Sequence, residues 1–154
     1  MQLLLWQEDN GTRLGHKGPK GTFLVDVKPK AKYLFEILAD TLKKANGEYN
    51  TTIPWYIMVS KDNKEETINF FKEKEYFNYP KEKITFFMQG EMPLIGEDGE
   101  FLLDKEGKIQ FASDGNGSIY RSMKENKILE DMKQKNVEWV YIGSVDNVLL
   151  KMVE

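Results

Sequence analysis

Leu3-Leu4-Leu5-Trp6 is a short apolar run that stops abruptly at polar residues, as a buried strand running into a loop does. Asn10 to Gly21 holds four Gly and one Pro and reads as an irregular loop. From Ala31 to Lys44, Leu34, Ile37, Leu38 and Leu42 recur at helical spacing, giving a helix one apolar face. Ile53-Pro54-Trp55-Tyr56-Ile57-Met58-Val59 is β-branched and aromatic, a strand that tolerates Pro at its beginning. A second helix is expected over Asp62–Lys74, with Thr67, Phe70 and Phe71 toward the core and Glu65 and Glu66 outside. Ile84 to Met88 reads as a third strand. Phe101-Leu102-Leu103 and Lys108-Ile109-Gln110-Phe111 flank Asp104-Lys105-Glu106-Gly107, a hairpin signal. Ile119–Asn126 and Ile128–Lys135 are expected to be helical, and Trp139–Ile142 a further strand. No repeat or linker stands out, so residues 1–154 read as one unit.

Strands alternating with helices at this spacing predict an α/β fold, a mainly parallel sheet flanked by helices with right-handed crossovers. Such sheets bind ligands at the carboxyl ends of their strands. Composition narrows the partners. The 154 residues are 40% hydrophobic and 31% charged, a length and balance suited to one domain with a real core. With no Cys there is no disulfide framework, thiolate metal site or Cys nucleophile. Twenty-two Lys and Arg against 25 Asp and Glu give a net charge of −3, which argues against a nucleic-acid or anionic-membrane binder. No apolar run approaches the ~20 residues of a membrane span. The amino terminus lacks a signal-peptide pattern, so a soluble, cytoplasmic chain is expected.

Three loops could carry chemistry. In the first, Asn10-Gly11-Thr12-Arg13-Leu14-Gly15 continues through Gly18-Pro19-Lys20-Gly21. Gly lets backbone N–H groups approach an anion, Arg13 offers a planar fork for phosphate oxygens, and Lys20 a mobile charge. A surface loop with solvated charges is the alternative, and the spacing is not that of a Walker P-loop. The second loop, Asp114-Gly115-Asn116-Gly117-Ser118, is either a set of tight turns or a binding element. In the third, Asp146 follows the last strand, where a carboxylate can ligate Mg²⁺ together with substrate phosphates or simply cap a helix. Gln89-Gly90, after the third strand, has an amide able to read a base edge, the alternative being that a lone Gln is only a turn residue. His16, the single His, is expected to be a solvated loop residue. Trp55, Tyr56, Phe70, Phe71, Phe86 and Phe87 are expected in the core.

In order, these segments resemble the UDP-N-acetylhexosamine pyrophosphorylases of the UDP-sugar pyrophosphorylase family. The resemblance is carried by Gly11-Thr12-Arg13-Leu14-Gly15, Pro19-Lys20-Gly21, Ile53-Pro54-Trp55-Tyr56-Ile57-Met58, Phe86-Phe87-Met88-Gln89-Gly90, Asp114-Gly115-Asn116-Gly117, Glu130-Asp131-Met132 and Val145-Asp146-Asn147-Val148-Leu149. It implies a Rossmann-like fold of the nucleotide-diphospho-sugar transferase type, present as its N-terminal, nucleotide-binding half. The implied reaction converts UTP and N-acetylhexosamine 1-phosphate into UDP-N-acetylhexosamine and pyrophosphate, with Mg²⁺ or Mn²⁺. By matching position, Gly11 and Thr12 belong to the nucleotide loop, and Arg13 and Lys20 neutralise the triphosphate. Gln89 and Gly115 recognise uracil, Asn116 lines the nucleotide–sugar region, and Asp146 binds the metal. Such a displacement at phosphorus needs positioning and charge neutralisation rather than a nucleophilic side chain.

Two departures from the family pattern bear on activity. Gln7-Glu8-Asp9-Asn10 stands where the family's first loop usually opens with Ala-Gly-Gly-Gln, so Glu8 and Asp9 bring negative charge toward a triphosphate. The chain is also shorter than the family, so the C-terminal half with most of the sugar pocket is expected to be missing. Three readings follow: an enzyme portion that binds UTP and Mg²⁺, a degenerate uridine-nucleotide module without turnover, or an interaction protein that keeps the fold without nucleotide.

Overall fold

The computed structural model describes residues 2–7, 15–145 and 147. In chain order, β1 spans Gln2–Gln7, β2 Leu24–Val25, β3 Lys32–Tyr33, α1 Leu34–Tyr49, β4 Trp55–Val59 and α2 Lys64–Glu73. Then come β5 over Ile84–Met88, β6 over Glu91–Pro93, β7 over Phe111–Ser113, α3 over Ile119–Glu125, α4 over Ile128–Gln134 and β8 over Trp139–Ser144. The main sheet has the order β5-β4-β1-β8, and every pairing in it is parallel. The order reverses beside β1. There Gln7 lies opposite Ser144 of β8, so the carboxyl ends of β1 and β8 meet at the position where doubly wound sheets hold ligands.

All five residues of β4 are buried, which is why it reads as an unbroken apolar run rather than an alternating one. Alternation returns in where the side chains go. Trp55, Ile57 and Val59 join Phe35, Leu38, Leu42 and Phe71 in one core. Tyr56 and Met58 join Phe87, Ile119, Met123, Ile128 and Met132 in the other. The sheet therefore lies between a layer of α1 and α2 and a layer of α3 and α4. Phe71 sits among rings, with centroids 4.7 Å from Phe35, 5.4 Å from Trp55, 5.3 Å from Phe77 and 5.1 Å from Phe86. Phe70 and Phe86 are only partly buried and pack against this core.

Helix boundaries differ from expectation for local reasons. α1 begins three residues late, at Leu34, after the β2–β3 ribbon, and Glu36 accepts a hydrogen bond from Tyr33 N–H at 3.4 Å. It continues past Lys44 because Asn46 has tertiary partners: its Oδ1 accepts from Ile53 N–H at 2.9 Å and its Nδ2 donates to Tyr79 Oη at 3.1 Å. Asn50, in the left-handed conformation at φ 49°, ends the helix. α2 begins at Lys64 because Asn63 Oδ1 accepts from Ser60 N–H at 2.9 Å, making a turn of the preceding residues. Between α2 and β5 the chain takes an unforeseen form. Glu75, Tyr76, Phe77 and Asn78 have φ of 48°, 53°, 54° and 55°, one turn of left-handed helix. Such backbone costs roughly 1–2 kcal/mol per residue outside glycine. Burial of Phe77 and Tyr79 offsets it, aided by Lys43 Nζ donating to Phe77 O at 3.1 Å and Tyr79 Oη donating to Ile53 O at 2.5 Å.

Residues 91–113 form an arm. Leu94 N–H donates to Gln110 O, Leu102 N–H to Leu94 O, and Gln110 N–H to Leu102 O, at 2.8–2.9 Å. Three residues eight apart thus close a ring of backbone hydrogen bonds. β6 pairs with β7, Ile95 with Phe101 and Leu103 with Ile109, so each segment pairs with both others. Two of the turns that join these segments place Gly99 and Gly107 at φ of 83° and 78°. The expected hairpin at Asp104–Gly107 is one of these turns, with Asp104 Oδ1 accepting from Glu106 and Lys108 N–H at 2.8 and 2.9 Å.

Candidate functional site

At its carboxyl end β5 runs into Gln89, whose N–H donates to Val59 O at 2.8 Å. Gln89 is only 7% exposed, and its Nε2 donates to Gly115 O at 3.3 Å. The two residues picked out for base recognition, 26 positions apart, are therefore in direct contact. With Nε2 so engaged, Gln89 presents Oε1 as an acceptor. Gly115 O also accepts from Ser118 Oγ at 2.6 Å and Ser118 N–H at 3.3 Å, which fixes the Gly115 peptide. Gly115 itself has φ 82° and ψ 175°, a region open essentially to glycine alone. Asn116 is exposed at the start of the 3₁₀ turn Asn116–Ser118, which leads into α3.

The base of the arm closes on the same place. Asp114 N–H donates to Gly90 O at 3.1 Å, and a Cβ on Gly90 would meet Asp114 Oδ2 at 2.2 Å. Only glycine fits there. Asp114 Oδ1 is buried without a hydrogen-bond partner among the described residues.

Lys20 lies in a separate 3₁₀ turn, Lys20–Thr22, packed against α1 and α2. It is 7% exposed, so the expected mobile surface charge is a largely buried one. Close packing sets the turn: a Cβ on Gly21 would strike the Phe35 ring at 2.1 Å, and one on Gly18 would meet Glu66 Oε1 at 2.6 Å. His16 also departs from expectation. It is partly buried rather than solvated, with Nε2 2.7 Å from Thr22 Oγ1 and its ring 5.7 Å from Phe23. Thr22 Oγ1 donates to Pro19 O at 2.8 Å, so His16 braces the turn that carries Lys20. Gly11, Thr12 and Arg13, together with Glu8, Asp9 and Asp146, lie outside the described residues. No group of three or more His, Cys, Asp or Glu able to hold a metal occurs among the described residues.

Two site-supporting residues escaped the sequence reading. Ser122 of α3 and Asn126, which caps its carboxyl end, turn inward and hydrogen-bond the backbone around Gln89. Their signal was present as two polar residues four apart, one on the buried side of a short helix and one at its end. A further cluster, Tyr56, Asp131 and Lys135, lies near the amino end of β4, away from Gln89. Tyr56 Oη donates to Asp131 Oδ2, and Lys135 Nζ donates to the same oxygen at 2.6 Å. Burial, then the hydrogen bond and charge of Asp131, push the Tyr56 phenol well above its ordinary range. Burial pushes the Asp131 carboxyl up, but the hydrogen bonds from Lys135 and Tyr56 outweigh it and hold the carboxyl below its usual value. This cluster ties α4 to the sheet.

Comparison with known proteins agrees with the fold. The family profile described as UTP--glucose-1-phosphate uridylyltransferase matches residues 3–154. UDP-N-acetylglucosamine pyrophosphorylase of Saccharomyces cerevisiae is 38% identical over 156 residues, covering 99% of this chain and 32% of that protein. UDP-N-acetylhexosamine pyrophosphorylase-like protein 1 of Xenopus tropicalis is 37% identical over 159 residues, covering 99% of this chain and 31% of that one. The crystal structure of a candidate UDP-N-acetylglucosamine pyrophosphorylase from Entamoeba histolytica superposes with a TM-score of 0.88 at 32% identity, over 97% of this chain and 39% of that one. The chain spans about a third of the length of the curated relatives, a smaller share than the half expected. With its parallel sheet, its helical layers and a family match along nearly its whole length, the chain belongs to the UTP–glucose-1-phosphate uridylyltransferase family.

Proposed function

We propose that this chain is the UTP-binding portion of a UDP-N-acetylhexosamine pyrophosphorylase. The observation that carries the reading is the contact between Gln89 and Gly115. With Nε2 held by Gly115 O, Gln89 keeps Oε1 as the acceptor for a base, and Gly115 N–H is assigned as the donor beside it. Uracil offers the complement on one edge, with N3–H to donate and a carbonyl oxygen to accept. Cytosine offers an unprotonated N3 and an amino group, so both contacts would be mismatched. A site built on hydrogen bonds rejects such a mismatch strongly, because its own buried polar groups go unpaired.

In the reaction, an oxygen of N-acetylhexosamine 1-phosphate attacks the α-phosphorus of UTP. The bond from that phosphorus to the bridging oxygen breaks and pyrophosphate leaves. Lys20, and by sequence match Arg13, neutralise charge on the triphosphate, while Gly11 and Thr12 approach it through backbone. Asn116 lines the route toward the sugar. These contributions are positioning and electrostatics. Asp146 follows Val145, which is fully buried at the carboxyl end of β8. One carboxylate with substrate phosphates suits Mg²⁺ and its hydration habits. When bound, Mg²⁺ neutralises phosphate charge, with Mn²⁺ as a substitute.

The test is a calorimetric titration of the chain with UTP and Mg²⁺, using CTP and ATP as controls. Saturable binding that prefers UTP supports the reading, and no preference at millimolar nucleotide defeats it. A second reading, a uridine-binding module without turnover, is favoured by Glu8 and Asp9 in the nucleotide loop. UTP binding without pyrophosphate release from added N-acetylhexosamine 1-phosphate would select it.

A further inference from the structure

β5 is an edge strand of the main sheet, and an edge normally presents unpaired backbone groups to solvent. At its carboxyl end this edge is closed by side chains. Asn126 does what a neighbouring strand would do: its Oδ1 accepts from Met88 N–H at 3.1 Å and its Nδ2 donates to Met88 O at 3.0 Å. The same Nδ2 is 2.8 Å from Ser122 O, which fixes the amide's orientation. Ser122, 1% exposed, accepts from Gly90 N–H through Oγ at 3.2 Å. On the opposite side, β4 accepts the N–H of Gln89 through Val59 O. Three consecutive residues, Met88, Gln89 and Gly90, are thus held by backbone bonds alternating between β4 and α3.

We propose that Ser122 and Asn126 are positioning residues for base recognition, and that by holding Met88–Gly90 they set the preference for uracil over cytosine. The inference rests on the uridine reading above. A Gln amide carries a donor and an acceptor on one rotatable plane, so it discriminates between bases only when its orientation is fixed. Gly115 O fixes the amide at one end through Nε2. The backbone from which the side chain springs is fixed by Ser122 and Asn126. Loosening that backbone lets the amide turn and present Nε2 instead of Oε1, and the donor–acceptor pattern that excludes cytosine is lost. A purely structural role for the same bonds would lower stability without changing which base is preferred.

The two are separated by titrating the chain and its Ser122→Ala, Asn126→Ala and Asn126→Asp variants with UTP and with CTP, each with Mg²⁺, alongside thermal melting. Tyr56→Phe, at the opposite end of the sheet, is the control for stability loss alone. In Ser122→Ala and Asn126→Ala the affinity for UTP is expected to fall about tenfold, the effect of one hydrogen bond. Affinity for CTP stays level or rises, so the UTP/CTP ratio collapses. Asn126→Asp keeps the acceptor for Met88 N–H and recovers part of the ratio, while Tyr56→Phe melts earlier with the ratio intact. A parent-like ratio in folded Ser122→Ala, with only the melting temperature lowered, overturns the inference. That variant removes a single oxygen, so it decides the matter if Asn126→Ala does not fold. Failure of the uridine reading shows separately, as absence of UTP preference in the parent chain.

Discussion

Gly115 combines φ 82° with ψ 175°, and a Cβ there would find open space. The objection to any other residue at this position is therefore conformational rather than steric. Forcing an L-residue into that region costs of order 1–3 kcal/mol, and an exposed loop can relieve it by shifting. Gly115→Ala is expected to lower UTP affinity by about tenfold or more while leaving the melting temperature nearly unchanged; unchanged affinity by calorimetry would remove Gly115 from the base contact. Loop position after an apolar segment marked Gly115 and Gln89 only as either turn or binding residues, and it was the family resemblance that paired them as candidates for uracil. Their direct contact was not legible, because the arm of residues 91–113 separates them in sequence. Nor were Ser122 and Asn126, whose value lies in facing one strand edge rather than in any motif. His16 was misread for the same kind of reason: its environment comes from Thr22 and Phe23, which only the folded turn brings together.

At the scale of elements, the strands and helices with strong periodicity were legible. β4 announces itself as a run of apolar residues, and the spacing of Leu34, Leu38 and Leu42 marks α1. What escaped were features set by tertiary partners. Asn46 extends α1 through its bonds to Ile53 and Tyr79, overriding the cost of Gly47 within the helix. The left-handed turn at Glu75–Asn78 has no signal in Glu-Tyr-Phe-Asn. Its stability comes from packing Phe77 and Tyr79, and two of its residues, Glu75 and Asn78, face solvent. Glu75→Gly removes an unfavourable φ without touching the core. It is expected to raise stability by roughly 0.5–1 kcal/mol in chemical denaturation, after the greater flexibility of glycine in the unfolded chain is counted. A loss of stability would mean that the turn is not left-handed in solution.

For the whole molecule, ion pairs and phenols set the pH range of the fold. Asp40, with Lys32 Nζ at 2.5 Å and Lys43 Nζ at 2.8 Å, resembles Asp131: burial raises its carboxyl, and its lysine partners more than offset this. Both carboxyls titrate below their unfolded value. Their contribution is complete above about pH 4 and is lost as pH falls through the folded values. Tyr56 works in the opposite sense. Burial and Asp131 favour its protonated form, so its contribution is complete below about pH 10 and declines as pH rises from there toward the folded value. Tyr79 and Tyr141, raised by burial, add to the same decline. Melting temperature is expected to form a plateau between roughly pH 5 and pH 9 and to fall on both sides. Tyr56→Phe is expected to lower the unfolding free energy across the plateau by about 1.5–3 kcal/mol, the worth of a hydrogen bond to a charged group, and to make the alkaline fall shallower. An alkaline limb identical to the parent's would detach Tyr56 from it. The arm offers a different kind of consequence. It leaves the domain at Gly90 and re-enters at Asp114, with a hydrogen bond across its base, so its far turns can be altered without changing the path between Gln89 and Gly115. In engineering terms it is an insertion port: a dye or a small reporter domain grafted at Glu97 or Lys105 would sit clear of the Gln89–Gly115 contact.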